Sequence, residues 1–592
     1  MITASLAPRR LIPLLVWPGL ILFVLLSYFQ FPGHRYLESD TQIYVPMFER
    51  FRDPALLSRD PMVVRAHTAF TLYDELTLGL ARVTGWDFEA VLGAEHMVIR
   101  LALLAGIFLI TRAMGLSDAL ALACAGVYAL GGWVSGPSVL LMEYEPVPRA
   151  FALGPLVLGV GLAAHRRYLA AGIVGSAGFL LHPTTAGPFW TVFAVLLFIP
   201  DRPEQMKARL WGFVSLGVAA VGLKVAAALQ PGVTEPQAFL VRIDEPWEQL
   251  LRLRASYVFV SMWPPVSFWQ YGMMLAAAAP AYLRLRGFIQ PTLRFFLVGL
   301  AALGVLSLPF SYLLLEKLKW AMLPQAQPTR AILFLELFTI LLAQVMAFEL
   351  ACREKRLGAA CWWAAATFAV GVETRLLFVI VPLALAWLVE DRWRWSGVPL
   401  AVAVAWLQPF GLVIWRGEAL RQLMVCLVLG ALLAAAAMLS VRRRAIGAAA
   451  VVAVTVSAFY FVPGQLRTHW SGQRPDPEMS GLCHWVRANT DIQAVFLFPD
   501  AGRGQDPGVF RARAGRALYV DWKGGGQMNF FHDFARLWWS RWQETMAEPF
   551  RPDSLPRFRE LGIDYVVLSS SNRLTDRRPV FENGKYLVYR VK

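Results

Sequence analysis

Charge is scarce in this 592-residue chain: Asp, Glu, Lys and Arg make up 16% of it, hydrophobic residues 57%, and the mean hydropathy is +0.49. An average soluble domain carries about 25% charged residues, so an ordinary soluble globular protein is excluded. Cysteine is scarce too. The five present, Cys124, Cys352, Cys361, Cys426 and Cys483, are scattered, and only the last lies in the hydrophilic tail. They offer no disulfide framework and no cysteine-based metal site. A GxxxxGK[ST] loop and an HExxH helix are both missing, which argues against a P-loop ATPase and a zincin. No internal repeat is visible, and the only biased stretches are alanine-rich ones such as 434–437.

What the chain does have is a series of apolar runs, near the roughly 20 residues needed to cross a bilayer, from Leu11 to about Phe461. The first, 11–29, follows Arg9 and Arg10, exceeds a signal-peptide core, and leads into Gln30-Phe31-Pro32 rather than a small-residue cleavage site. It reads as an uncleaved span. The net charge of +15 would suggest nucleic acid in a soluble protein, but here the basic residues sit in short clusters between apolar runs, where membrane topology explains them. No nucleic-acid partner is expected.

With Arg9 and Arg10 in the cytoplasm, the chain emerges outside near Tyr28 and stays there until a span at about 97–111. Spans at about 118–134 and 150–164 and a helical pair at 168–199 then put Arg112, His165-Arg166-Arg167, and Arg202 with Lys207 and Arg209 inside. Further spans place Arg284 and Arg286, Arg353 with Lys355 and Arg356, Arg392 with Arg394, and Arg442-Arg443-Arg444 on that same side. The expectation is an all-α polytopic bundle of about 13–15 spans over 1–462, with a long external loop at about 30–96 and an external soluble α/β domain over 463–592. The setting implied is a bacterial inner membrane, with the N-terminus cytoplasmic.

The tail alternates strand-like runs at 494–498, 517–520, 565–568 and 586–588 with helical stretches at 477–489, where Asp476 is a candidate N-cap, and 530–544. Its aromatic cluster of Trp538, Trp539 and Trp542 suits a helix packed on its own domain, a membrane-surface helix, or a partner or glycan surface.

Charged groups that membrane insertion does not explain collect in three places. The first is Glu38-Ser39-Asp40-Thr41-Gln42-Ile43-Tyr44 with Arg59-Asp60-Pro61. Asp40 suits a general base or an acceptor-orienting group, with Tyr44 on the same helical face; the competing role is capping a short helix. The second is Glu143-Tyr144-Glu145-Pro146-Val147-Pro148-Arg149 with His182. There Arg149 is either a cavity residue or an interfacial snorkeller, and His182 either a cavity residue or a bonded turn histidine. The third is Lys317 and Lys319, then Gln327-Pro328-Thr329-Arg330, in a short outer loop where positive charge is unexpected. Arg330 fits two-pronged phosphate binding or an ion pair with Glu336.

This layout resembles the GT-C superfamily of integral-membrane glycosyltransferases, which take sugars from polyprenyl-phosphate carriers. In that family a long external loop after the first span carries an essential carboxylate, which the resemblance assigns to Asp40, with Asp60 as a second loop acid. Gln327-Pro328-Thr329-Arg330 is similar to the arginine that opens a late span and contacts carrier phosphate. The tail is similar to external domains of bacterial GT-C-like proteins through Trp485-Val486-Arg487-Ala488-Asn489-Thr490, the run from Ala494 to Pro499, and Tyr519-Val520-Asp521-Trp522-Lys523. Ser39 separates Glu38 from Asp40, where many members have adjacent acids. The resemblance implies transfer of a sugar to an outer-face acceptor, with Asp40 and Asp60 catalytic. It implies Arg330, Lys317, Lys319 and Gln327 at the donor phosphate, and Tyr44, Glu143, Glu145, Arg149 and His182 lining the cavity. The implied partners are a polyprenyl-phosphate-linked sugar and the bilayer. A divalent metal is compatible with this reading, but no residue is assigned to one.

Two other readings compete: a transporter or flippase of a lipid-linked solute, and a catalytically silent relative that binds a partner. The first predicts repeated halves with charges at mid-membrane, whereas the unusual charges here sit at the outer ends of spans. The topology has a direct test. A reporter fused after Lys592 or near Gln505 should be active only outside, and one after Arg444 only inside. Cytoplasmic activity after Lys592 would overturn every loop assignment at once.

Overall fold

Apolar runs in a bilayer fold as helices because each backbone N–H and C=O has to be satisfied within its own segment. The structure, a computed structural model, describes residues 13–66, 68–230, 241–388, 417–462 and 476–591. Arg9, Arg10, the first residues of the first span, Arg392, Arg394 and the start of the tail at 463–475 lie outside the described residues. Among the described residues six helices are long and apolar enough to cross a membrane, and six shorter apolar helices accompany them. The chain is a multi-pass membrane protein whose helical bundle is followed by a small α/β domain.

The bundle opens with α1 (Pro13–Phe29). The segment expected as a loop at 30–96 is instead largely helical, holding α2 (Thr41–Arg52), α3 (Pro61–Val64) and α4 (Tyr73–Thr84). Then α5 (Phe88–Ala113) begins well before Met97, because Asp87 caps it by accepting the N–H of Ala90 at 2.8 Å. The expected span at 118–134 is helical only over α6 (Asp118–Tyr128). Gly131, at φ 74°, then turns the chain into a hairpin of β1 (Trp133–Val134) and β2 (Val139–Leu140).

There follow α7 (Pro148–Ala164), α8 (Tyr168–Leu181), α9 (Pro183–Leu196) and α10 (Pro203–Leu229). The amphipathic α11 (Glu245–Arg254) precedes α12 (Pro265–Leu285), α13 (Pro291–Ser311) and the short α14 (Leu323–Ala326). Then come α15 (Leu333–Cys352), α16 (Leu357–Val372), α17 (Leu377–Ala386) and the helices Gly417–Arg442 and Arg444–Phe461. The span Leu323–Cys352 is wholly enclosed by the others, so it forms the axis of the bundle. Small residues let backbones meet: a Cβ on Gly106 of α5 would stand 2.5 Å from the Leu158 nitrogen of α7.

The tail forms a five-stranded sheet in the order β4-β3-β5-β7-β6. Its strands are β3 (Val495–Leu497), β4 (Ala517–Leu518), β5 (Tyr565–Ser569), β6 (Phe581–Glu582) and β7 (Tyr586–Arg590). β3 pairs parallel with β4 and β5, while β7 pairs antiparallel with β5 and β6. The expected helices are Pro477–Asn489, with Asp476 accepting the Glu478 N–H, and His532–Thr545; Asp506–Ala514 is an additional one.

One apolar core joins this domain to the segments preceding it in the chain: Ile43, Met47, Trp247, Leu251 and Phe259 pack with Leu497, Val520, Trp538 and Val566. Helix α5, about 39 Å long at 1.5 Å per residue, shows at which end of the bundle the domain sits. Near its first turn Glu89 pairs with Arg513 of the domain at 3.8 Å. At its far end Arg112 pairs with Asp118 at 2.8 Å, and the ring of His165 hydrogen-bonds the Leu109 carbonyl. The α/β domain and these basic loops therefore occupy opposite ends of the bundle.

Candidate active site

A helix begins with N–H groups that need acceptors, and an aspartate at the N-cap normally supplies one with its own side chain. Asp40 occupies the N-cap of α2 yet makes no such bond. Glu145, from the loop before α7, does it instead. Its Oε1 accepts the N–H of Ser39 at 2.7 Å and the Thr41 hydroxyl at 2.6 Å, and its Oε2 accepts the N–H of Asp40 at 2.7 Å. The Asp40 carboxylate is thereby released from capping and turned outward from the helix.

Two cations hold it. Arg149 Nη1 lies 2.6 Å from Asp40 Oδ2, and Lys523 Nζ, from the α/β domain, lies 2.7 Å from Oδ1 while also donating to Ser39 Oγ at 2.8 Å. Arg149 stands in the first turn of α7, where the helix dipole disfavours positive charge. Glu143 compensates, taking Arg149 Nε at 2.7 Å and Nη2 at 3.3 Å. Burial alone would raise the Asp40 carboxyl, but Lys523 and Arg149 hold it well below the usual carboxylate range. For Glu145, burial and the neighbouring Asp40 push the other way. The two neighbouring carboxyls are thereby driven apart in acidity.

The loops that carry these groups are fixed from beneath by Arg100, wholly buried in α5. Its guanidinium donates to the carbonyls of Ser27 at 2.5 Å, of Glu143 at 2.7 Å and of Gly33. It thus ties the end of α1, the approach to Asp40 and the Glu143–Glu145 loop to one point.

Arg330 lies within electrostatic reach of Asp40, Glu143 and Arg149, and Tyr44 within that of Asp40 and both arginines. The Arg330 Nε is buried and has no hydrogen-bond partner. The alternative pairing with Glu336 does not form: both Glu336 oxygens are buried without a partner. Around Arg330 a recess is lined by Gln327, Thr184, Thr185 and Phe334. His182 caps α9 at its rim, accepting the Thr185 N–H on Nδ1 at 3.3 Å.

The structure thus gathers Asp40, Tyr44, Glu143, Glu145, Arg149 and Arg330, with Gln327 lining the recess and His182 bonded to the Thr184 and Thr185 that line it. Other candidates stand apart. Asp60 caps α3, accepts the Leu518 N–H at 3.0 Å and lies 3.7 Å from Arg511, which also grips Asp521 at 2.6 Å, so it belongs to the seam with the α/β domain. Burial, the largest influence, raises its carboxyl despite Arg511. Lys319 pairs with Glu248 at 2.8 Å, and Lys317 lies over the Tyr312 ring. Lys523 is the residue that sequence reasoning left out of the site. Its signal was the glycine triplet that follows it, which permits close approach: a Cβ on Gly526 would stand 3.3 Å from Ile43.

Both Asp40 oxygens are engaged by cationic side chains, and among the described residues no group of three or more His, Cys, Asp or Glu converges.

A family model described as a domain of unknown function, DUF6798, matches residues 477–545, the stretch that holds Lys523. No curated protein matches the chain. Among solved structures the chain is similar to ArnT from Cupriavidus metallidurans, bound to undecaprenyl phosphate, at 12% identity and a TM-score of 0.47, covering 98% of each chain. It is also similar to the arabinofuranosyltransferase AftD from Mycobacteria, at 15% identity and a TM-score of 0.45; there 95% of this chain matches 35% of the other, so it spans about a third of that protein.

The contrast between the two loop acids is measurable. The Asp60 side chain is 2% exposed and that of Asp40 29%. Asp60→Ala should cost about 2–4 kcal/mol of stability, since it strands Arg511 and the Leu518 N–H, whereas Asp40→Asn should cost distinctly less. Thermal unfolding in detergent checks this; equal losses would remove Asp60 from its structural role.

Proposed function

We propose that the protein is a GT-C-type glycosyltransferase that moves a sugar from a polyprenyl-phosphate-linked donor to a hydroxyl of an acceptor on the outer face of the membrane. One observation carries this reading: a carboxylate freed from its capping duty and held ionised lies within electrostatic reach of an arginine with a buried, unpartnered nitrogen. The chemistry needs a group to orient and deprotonate the acceptor, and a cation to take the charge of the departing phosphate.

In the transfer the acceptor oxygen bonds to the anomeric carbon, the bond from that carbon to the phosphate oxygen breaks, and the electron pair leaves on the phosphate. Asp40 orients the hydroxyl and takes its proton. Each carboxylate oxygen has two acceptor sites, so the bonds from Arg149 and Lys523 leave room for the acceptor. Arg330 receives the phosphate, its planar fork matching two phosphate oxygens, while Gln327 and the Thr184 and Thr185 hydroxyls line the recess beside it. Arg149 and Glu143 position Asp40. The arginine's ordinary burial cost near lipid is offset when a phosphate occupies the recess.

Replacing Asp40 by Asn removes the base and keeps the size, so transfer should slow by about 10²- to 10⁴-fold at equal protein amount. Arg330→Lys should also impair transfer, because an ammonium does not reproduce the two-pronged contact. The assay is transfer of label from a polyprenyl-phosphate sugar pool in membranes holding each variant. Undiminished transfer by Asp40→Asn protein would remove Asp40 from the mechanism.

A further inference from the structure

Parallel strands present the loops at their carboxyl ends to ligands, because successive loops emerge there side by side. In the α/β domain, β3 and β4 are such a pair. The loop after β3 is anchored by Asp500, whose Oδ2 accepts the Ser569 N–H at 2.7 Å and the Asn572 amide at 2.8 Å. Gly502, at φ 51°, then turns the chain and presents Arg503 at the surface. The loop after β4 carries Trp522 and Lys523.

These loops and α11 meet on a single indole. The Arg503 guanidinium lies 4.3 Å from the Trp522 ring centroid and that of Arg254 5.1 Å. Arg254 is held by donating to the carbonyls of Trp522 at 2.9 Å and Lys523 at 3.4 Å. Neither arginine has an ion pair among the described residues. They are close enough to repel each other, and Asp40 and Asp521 act more strongly on Arg254 in the opposite sense. Two guanidiniums held on one aromatic ring, neither of them in an ion pair, form a preorganised anion site, since little side-chain freedom is left to lose on binding. One residue farther on, Lys523 touches Asp40.

We infer that Arg503, Arg254 and Trp522 form the acceptor subsite, and that the acceptor is a saccharide bearing a phosphate or carboxylate group. The inference rests on the transfer reading for the word acceptor; the anion site itself stands on geometry alone. The donor phosphate has its own cation in Arg330, on the membrane bundle, whereas Arg503 and Trp522 belong to the domain that reaches Asp40 from the other side. An anionic group gripped at this edge would place the sugar attached to it next to Asp40.

The test is calorimetric binding to the full-length protein in detergent, with digalacturonate and glucose 6-phosphate as anionic probes and digalactose as the neutral one. Both anionic probes should bind at least about tenfold more tightly than digalactose, and Arg503→Gln should weaken them about tenfold, the loss of one charge-assisted contact. Arg503 is exposed, so the variant should unfold at the wild-type temperature. Trp522→Leu should weaken them as well, by releasing both guanidiniums. Equal binding of charged and neutral sugars, no binding of either anionic probe, or binding untouched by Arg503→Gln would overturn the proposal. So would Arg503-dependent binding confined to phosphatidylglycerol vesicles, which would make the site a lipid-headgroup contact. Binding is read without transfer, so this failure is distinct from failure of the Asp40 chemistry.

Discussion

The site depends on one substitution of partners: Glu145, about a hundred residues downstream, accepts the N–H groups that open α2 and relieves Asp40 of that task. A carboxylate used as a cap spends its lone pairs on its own backbone. Glu145 spends its own instead, and its buried position raises its carboxyl while the outward-facing Asp40 is held ionised by Arg149 and Lys523. The rest of the arrangement maintains that exchange. Arg100 binds the carbonyls of Ser27, Gly33 and Glu143, keeping the two loops in register, and Glu143 holds Arg149 in a helical turn where a cation would otherwise be disfavoured.

A second constraint is that the site spans two structural units. Asp40, Arg149 and Arg330 belong to the first 462 residues, and Lys523 to the α/β domain. Their relative position is set by the shared core of Ile43, Trp247 and Leu251 with Val520 and Trp538, and by the buried Asp60–Arg511–Asp521 group at the seam. A buried ionic group of this kind adds little stability but penalises misalignment, because shifting one partner strands a charge. That accounts for Asp60: it is a loop acid, buried for registry, on the opposite side of α2 in sequence from Asp40.

Much of this was legible in the sequence, and what was not has physical causes. Hydropathy gave the bundle and the change of character in the tail, and short strand-like runs gave four of the domain's strands, since both rest on local pattern. Residues 30–96 read as a loop because α2 and α4 are short and polar on one side; their apolar faces find partners only in the folded chain. Asp40 and Arg330 drew notice as charges out of place at span ends. The sequence could not show that Glu145 would take the cap, since that bond joins residues 105 positions apart. Nor could it separate Asp60 from Asp40, since both stand at the N-cap of a helix and differ in partners supplied from far along the chain, or show that Lys319 was already matched by Glu248. Lys523 was hidden by distance, with only the glycines after it hinting at a close approach.

In the proposed transfer Arg330 holds the phosphate of a polyprenyl donor in the space that the Asp40 carboxylate faces. The most direct measurement is an experimental structure of the protein in a lipid nanodisc with a polyprenyl phosphate bound. The expected result is the phosphate within hydrogen-bonding distance of the Arg330 guanidinium, about 2.7–3.2 Å, with the Asp40 carboxylate facing the same space. A polyprenyl phosphate seated elsewhere, with Arg330 still without a ligand, would contradict it.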